Sequence, residues 1–279
     1  MSMMRKIAVL LLGVLIYQSV CAQVEVGHMR KYFYSIPYDI QPSELDINGN
    51  VRQVLYKYHH LEYGYGEMSV SSGAFLTLSC LPTMYEYNNK GHLITYKWYD
   101  AYIHSWLLEY DANGNVTEYG AEHIYENGKL TKCFWGGGYG ARLFYNTNDE
   151  LSKILLYDRD GTENNIVYYQ NGDPIKRIFL EDKSTETYSY NNHKLIRSYS
   201  SDGNGDSERK YSYNEDGLVS RIVLYKKGKF CDRCDFVYKK KDAKGNWIMR
   251  LEIWKKENGE LKVENGRCGL VTEREITYQ

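Results

Sequence analysis

Leu108-Glu109-Tyr110-Asp111-Ala112-Asn113-Gly114-Asn115-Val116 is the stretch that decides the fold. Leu108 and Tyr110 alternate across Glu109, so their side chains share one face of a strand. Asp111 to Gly114 supplies turn chemistry, with Gly114 at the positive φ that a tight hairpin requires. Val116 opens a return strand. These nine residues encode one β-hairpin.

The same unit recurs. Tyr85-Glu-Tyr87-Asn88-Asn-Lys-Gly91-His-Leu93 and Tyr211-Ser-Tyr213-Asn214-Glu-Asp-Gly217-Leu-Val219 are full copies. Shorter or altered copies lie between them. They are Ile124-Tyr125-Glu-Asn127-Gly128-Lys-Leu130, Leu143-Phe-Tyr145-Asn146-Thr-Asn-Asp149-Glu-Leu151, Tyr168-Tyr169-Gln-Asn171-Gly172 and Tyr188-Ser-Tyr190-Asn191-Asn-His193-Lys-Leu195. Phe236-Val-Tyr238 leads into Asp242-Ala-Lys-Gly245-Asn-Trp247. Turn positions are expected at Gly91, Gly114, Gly128, Gly172, Gly217 and Gly245. Second turns close the return strands at Asp158-Arg-Asp-Gly161, Ser201-Asp-Gly203 and Lys227-Gly228. The fold class is therefore all-β: an array of antiparallel β-hairpin repeats forming one elongated, twisted or coiled sheet, with strands of about five to eight residues. One hairpin is marginal alone, so stability must come from stacked neighbours. No apolar stripe of helical period interrupts the pattern.

Outward from the repeats, residues 24–80 are less regular and read as an N-terminal cap or degenerate first repeats; the array runs over 81–279. The first 22 residues read as a signal peptide. Arg5 and Lys6 precede the apolar run Ile7–Ile16, and Val20-Cys21-Ala22 offers a cleavage site before Gln23. A lipid anchor on Cys21 is the rival, although Gln18-Ser19-Val20 fits it poorly. No other segment is long and apolar enough for a transmembrane helix. The expected location is outside the cytoplasm: periplasmic, secreted or surface-attached.

Composition narrows the function. With 35 basic and 36 acidic residues, nothing favours nucleic acid. There are 29 tyrosines against seven phenylalanines, so the strands build aromatic faces that still touch water. Cys80, Cys133, Cys231, Cys234 and Cys268 follow the signal, an odd number too small for a disulfide scaffold. Cys231-Asp-Arg-Cys234 has redox or half-zinc spacing, but it lacks a βαβ setting and two further ligands. A local disulfide between Cys231 and Cys234, or two plain thiols at a turn, is the expected reading.

The units resemble the YD (RHS-type) repeat family, whose pattern is Tyr-x-Tyr-Asp-x-x-Gly-x-Leu; Glu109-Tyr110-Asp111-Ala-Asn-Gly114-Asn-Val116 carries the likeness best. It covers residues 81–250. Lys244-Gly-Asn-Trp247 through Thr272-Glu-Arg-Glu-Ile-Thr-Tyr278 also resembles the ending of small exported repeat proteins of gut Bacteroidetes. The resemblance implies a continuous antiparallel sheet that coils as repeats add, and in large relatives a shell around a toxin. About eight units and no downstream toxin domain set this chain apart from those shells.

Other chemistry has local explanations. His59 and His60 are adjacent in a strand and face opposite sides, so they do not make a metal pair. His28, His92, His104, His123 and His193 show no ligand spacing. Asp202-Gly-Asn204-Gly-Asp206 lacks the glutamate a calcium loop needs at its twelfth position, which is Tyr213. No cofactor is expected. The feature with functional slope is the aromatic row Tyr87, Tyr110, Tyr145, Tyr169, Tyr190, Tyr213 and Tyr238, placed to pack or to bind. The leading expectation is a non-catalytic binding module for a surface glycan or protein partner. Alternatives are a structural envelope repeat protein without small ligand, or a glycoside hydrolase using paired carboxylates. Sequencing the native protein's N-terminus should return Gln23, or a lipidated Cys21 on the rival reading; an intact Met1 in a cytoplasmic product overturns both.

Overall fold

The computed structural model describes residues 49–71, 81–89, 93–99, 103–107, 109–110, 116–117, 122–127, 129–134, 140–158, 160–171, 173–201 and 205–279. The described residues are all-β, with no helix among them. The signal segment, Cys80 and the turn glycines Gly91, Gly114, Gly128 and Gly172 lie outside the described residues, as do Asp202 to Asn204.

The first strands are β1 (Val51–Gly64), β2 (Glu67–Val70), β3 (Leu81–Tyr87), β4 (Leu93–Tyr99) and β5 (Ile103–Leu107). Next come β6 (Glu109–Tyr110), β7 (Val116–Thr117), β8 (Glu122–Glu126), β9 (Lys129–Phe134), β10 (Gly140–Tyr145) and β11 (Leu151–Tyr157). β12 (Glu163–Gln170), β13 (Asp173–Phe179), β14 (Thr185–Asn191), β15 (Lys194–Ser201) and β16 (Ser207–Tyr213) continue the series. It ends with β17 (Val219–Lys226), β18 (Lys229–Lys241), β19 (Trp247–Lys255) and β20 (Arg267–Tyr278). Eighteen strands share one hydrogen-bonded sheet, and β6 and β7 form a separate pair.

Two compact units divide the chain: Met1–Leu107 with Tyr213–Ile222 and Asp232–Gln279, and Leu108–Ser212 with Val223–Cys231. The second unit is a plain meander in which β8 through β16 pair in sequence order, each antiparallel to the next. Its strands keep to the expected short lengths. The first unit runs β5, β4, β3, β1, β20, β19, β18, with β2 beside β3 on the same side of β1. Here β1 has 14 residues and β20 has 12, well beyond the expected length. The region read as a cap or degenerate first repeats contributes β1, a strand with neighbours on both sides. Its pairing with β20 runs from Val51↔Tyr278 to Glu62↔Arg267.

One local device repeats. At five hairpin ends a repeat tyrosine sits opposite the apolar residue past the turn: Tyr87↔Leu93, Tyr125↔Leu130, Tyr145↔Leu151, Tyr169↔Pro174 and Tyr190↔Leu195. The register then shifts by one residue, leaving Ile94, Thr131, Ser152, Ile175 or Ile196 as the extra residue of a β-bulge on the return strand. Where that residue has a hydroxyl, it donates across the hairpin: Thr131 Oγ1 to Ile124 O at 3.2 Å and Ser152 Oγ to Phe144 O at 3.0 Å.

Two turn types close the units. In the longer one an Asn or Asp side chain seeds the loop. Asn146 Oδ1 accepts from the backbone N–H of Asn148 and Glu150, both at 2.9 Å, while Asp149 N donates to Asn146 O at 3.0 Å. Asp158 and Asp242 repeat this pattern. The fourth turn residue is left-handed: Gly217 has φ +80 and Gly245 φ +82, and Asp149 takes φ +65 where glycine is absent. This is a type I turn followed by a left-handed bulge residue. The shorter turn has two left-handed residues, as in Lys227-Gly228 and Asn265-Gly266. The unit without glycine uses it too, through Asn192 (φ +49) and His193 (φ +62), one residue later than Asn191.

Gly217→Val should lower stability by about 1–2 kcal/mol, because a β-branched side chain resists the left-handed region. Asp149→Gly should have the opposite sign and raise it by up to about 1 kcal/mol. Urea unfolding of the two variants beside the parent checks both signs.

Candidate functional site

Chemistry-bearing side chains collect in two kinds of place, the buried faces of the units and one exposed hairpin. In the first unit, cross-strand pairing sets Tyr238, Arg250 and Thr272 side by side on one face, next to Phe236 and Glu252. Arg250 is fully buried at 0% exposure and donates to Glu252 Oε1 at 2.7 Å. Its guanidinium lies 5.2 Å from the Phe236 ring centroid and 4.9 Å from that of Trp247. Arg274 covers the same indole at 3.5 Å and donates to Trp247 O through Nε at 2.9 Å. Planar guanidinium on an aromatic face keeps a charge tolerable away from water.

The second unit repeats the chemistry with different residues. Arg177, 2% exposed, donates to Asn165 Oδ1 at 3.1 Å and lies 4.0 Å from Glu186 Oε2. The Phe179 ring is 4.1 Å from its guanidinium. Burial pulls the Arg177 pKa down, opposed by Glu186. Tyr188 donates to Glu186 Oε2 at 2.5 Å, and burial, then the Glu186 charge, push its phenol well up. The charged residues Arg177, Glu186, Arg250, Glu252 and Arg274 carried no signal in the sequence, because charged residues inside a strand read as its wet face.

Several described carboxylates are tied into the fold. Asp235 accepts from Arg221 and Arg233 at 2.7–2.9 Å; burial raises its pKa, but these hydrogen bonds outweigh it and hold the carboxyl low. Asp242 accepts from Tyr278 and from its own turn, which ties the β18–β19 loop to β20. Asp216 pairs with Lys241, and Glu208 with Arg197 and Lys210. His59 lies 3.6 Å from Glu273, and burial, then Arg267, lowers the pKa of His60. No group of three or more metal-ligating side chains occurs among the described residues.

The repeat tyrosines are half-buried. Tyr87, Tyr145, Tyr169, Tyr190, Tyr213 and Tyr238 all fall between the core and the open surface; the Tyr110 side chain lies outside the described residues. Burial raises the phenol pKa of Tyr87 and Tyr169. Tyr238 donates to Val219 O at 2.9 Å and meets Trp247 edge-on at 5.8 Å. Lys129 Nζ sits 5.3 Å from the Tyr145 ring.

Of the two readings of Cys231 and Cys234, the structure has the plain thiols, within β18 and not at a turn. Residues three apart in a strand project to opposite faces. Accordingly Cys231 is exposed and Cys234 is buried, its thiol pKa raised chiefly by burial, so no disulfide joins them. Cys268 is also free and buried, while the Cys133 side chain lies outside the described residues.

Exposed apolar groups concentrate elsewhere. Of the seven large apolar side chains exposed among the described residues, Tyr63, Tyr65, Met68 and Val70 belong to the β1–β2 hairpin. Leu61↔Val70 and Tyr63↔Met68 share one face, and Glu62↔Ser69 and Gly64↔Glu67 share the other. Tyr65 stands at the apex with 110% relative exposure and φ +54. Sequence reasoning passed over this turn because Tyr-Gly is not a usual left-handed pair.

No protein-family model matches the chain, and no curated protein matches it significantly. Solved structures do. The chain is similar to a porin-like protein from Bacteroides uniformis ATCC 8492 at 11% identity and a TM-score of 0.41, covering 81% of this chain and 98% of that one. It is also similar to a porin-like protein from Bacteroides vulgatus ATCC 8482 (13% identity, TM-score 0.31, 66% of this chain and 97% of that one). The Photorhabdus luminescens Tc holotoxin pore carrying a TccC3 variant is a third (13%, 0.35, 79% of this chain), and there the chain spans only 14% of the longer one.

Glu252→Leu leaves Arg250 buried without its carboxylate and should cost about 3–5 kcal/mol. The double change Arg250→Met with Glu252→Leu should recover most of that loss. Denaturant midpoints of the two proteins measure the difference.

Proposed function

We propose that the protein is an exported, non-catalytic repeat protein whose β1–β2 hairpin contacts a glycan or protein partner at the cell surface. Tyr65 carries this reading. A fully exposed aromatic ring in the left-handed region costs free energy that asparagine or glycine would avoid, and such strain tends to persist where it serves a site. Met68 and Tyr63 extend the apolar surface beneath it, and Glu62 and Glu67 offer acceptors on the opposite face.

Three further observations support the reading. The described carboxylates named above are held by cations or by turn backbone, which leaves them poorly placed for acid–base work. The half-buried repeat tyrosines suit a packing role, so recognition falls to the rings outside the repeats. The N-terminal charge and apolar pattern suits export. Among the described residues no helix is long and apolar enough to cross a membrane, which leaves strand-based crossing unaddressed.

Labelled mature protein should bind a glycan array or intact producing cells. Tyr65→Gly removes the ring and relaxes the turn, so its melting temperature should hold or rise while binding falls at least about tenfold, a hot-spot effect. Equal binding by parent and variant would overturn the assignment.

A further inference from the structure

The β1–β2 hairpin has a second property besides its exposed rings. Among the described residues β2 pairs with β1 alone, and its outer edge has no partner. All four of its residues are exposed. The hydrogen-bond phase of the hairpin follows from its turn. Gly64 and Glu67 flank the two-residue loop Tyr65-Gly66 and form its closing pair, and Ser71 N donates to His60 O at 3.0 Å four residues on. Glu67 and Ser69 therefore direct their backbone groups to β1. Met68 and Val70 direct theirs outward.

Edges of this kind are usually blunted by lysine, proline or a bulge. β2 reads Glu-Met-Ser-Val and has none of them. Its outward residues are also apolar, Met68 at 45% and Val70 at 44% exposure.

We infer that β2 is a self-pairing edge: a second copy of this chain adds its own β2 antiparallel to it about a twofold axis. The inference rests on the reading of this hairpin as a contact element and names its occupant. Only registers that set outward residue against outward residue can form hydrogen bonds. One of these places Met68 opposite Val70 of the second copy, with Ser69 opposite its own symmetry mate. Glu67 then faces Ser71 of the second copy, so no carboxylate opposes another. Side chains of directly opposed residues share a face. Tyr63, Met68 and Val70 thus join their counterparts in one apolar row across four strands, with Glu62 and Glu67 on the reverse face. The contact is isologous and closes at two copies.

Its size sets its strength. Three apolar side chains and a four-residue strip of backbone supply roughly half of the about 800 Å² per partner found in standard stable interfaces. A reversible dimer follows, not an obligate one. Tyr65 lies beyond the paired residues and stays available in the dimer.

Sedimentation velocity of the mature protein decides the matter, over a series from about 1 µM to about 500 µM, where an interface of this size dissociates. The weight-average mass should climb from monomer toward dimer. Val70→Pro deletes an outward N–H without touching the β1–β2 ladder, and Met68→Lys adds an edge charge. Both variants should stay monomeric throughout with the parent's far-ultraviolet spectrum. A parent that remains monomeric across the series overturns the inference, as do folded variants that associate like the parent. If the parent is monomeric and Tyr65→Gly still abolishes surface binding, self-pairing falls and the contact role of the hairpin stands. If Tyr65→Gly also binds normally, both fall.

Discussion

Everything in the repeat array depends on how one tyrosine is held opposite one apolar residue. In five described units the turn returns the chain so that a tyrosine faces the leucine or proline beyond the apex, and a bulge follows at once. The turn is set by local chemistry: in the longer one an Asn or Asp side chain captures two backbone N–H groups ahead of it, and in the shorter one two residues take the left-handed region. The tyrosine is half-buried at that position, the environment it suits best. Because each hairpin is specified within a dozen residues, the meander of the second unit assembles from contacts that are nearly all local.

The first unit is built differently, and the contrast explains what the sequence could disclose. Asn146, Asp158, Asn214 and Asp242 announce their turns because they act on their own neighbours. The β1–β20 pairing joins residues more than two hundred positions apart, and no local signal marks it. Both faces of that pair are buried: Val54 and Tyr58 with Thr272 on one side, Leu61 with Val271 on the other. Gly269 is part of that fit. A Cβ there would come 1.8 Å from Glu252 O, so the close approach of β19 needs a bare backbone at that point. The stretch before residue 81 supplies a strand of this pairing, and the irregular spacing of its turn residues says little about pairing with a distant strand.

Side-chain roles were legible only where they coincide with backbone chemistry. The Cys231-x-x-Cys234 spacing suggested a bridge, yet a strand's twofold alternation sends the two sulfurs apart. The buried arginines were hidden because Arg177, Arg250 and Arg274 occupy strands whose partners alone decide whether a face is wet. Their aromatic and carboxylate neighbours come from flanking strands or from two or three residues away, spacings equally common on exposed strands. The Tyr65 apex was missed since its left-handed backbone contradicts its residue type, and such contradictions between local preference and observed geometry tend to mark contact sites.

The bulge beside each tyrosine has a consequence for how such a chain can change over time. Tyr145 and Leu151 are separated by five intervening residues, Tyr125 and Leu130 by four, yet both pairs meet face to face with the same shift behind them. In an ordinary hairpin a one-residue deletion inverts every side chain downstream. Here the left-handed residue of the longer loop absorbs the difference, so the two loop lengths are interchangeable parts. Single-codon gains and losses at the apex become tolerable edits, and an array of these units can diverge in length, unit by unit, while its inward faces keep their alignment.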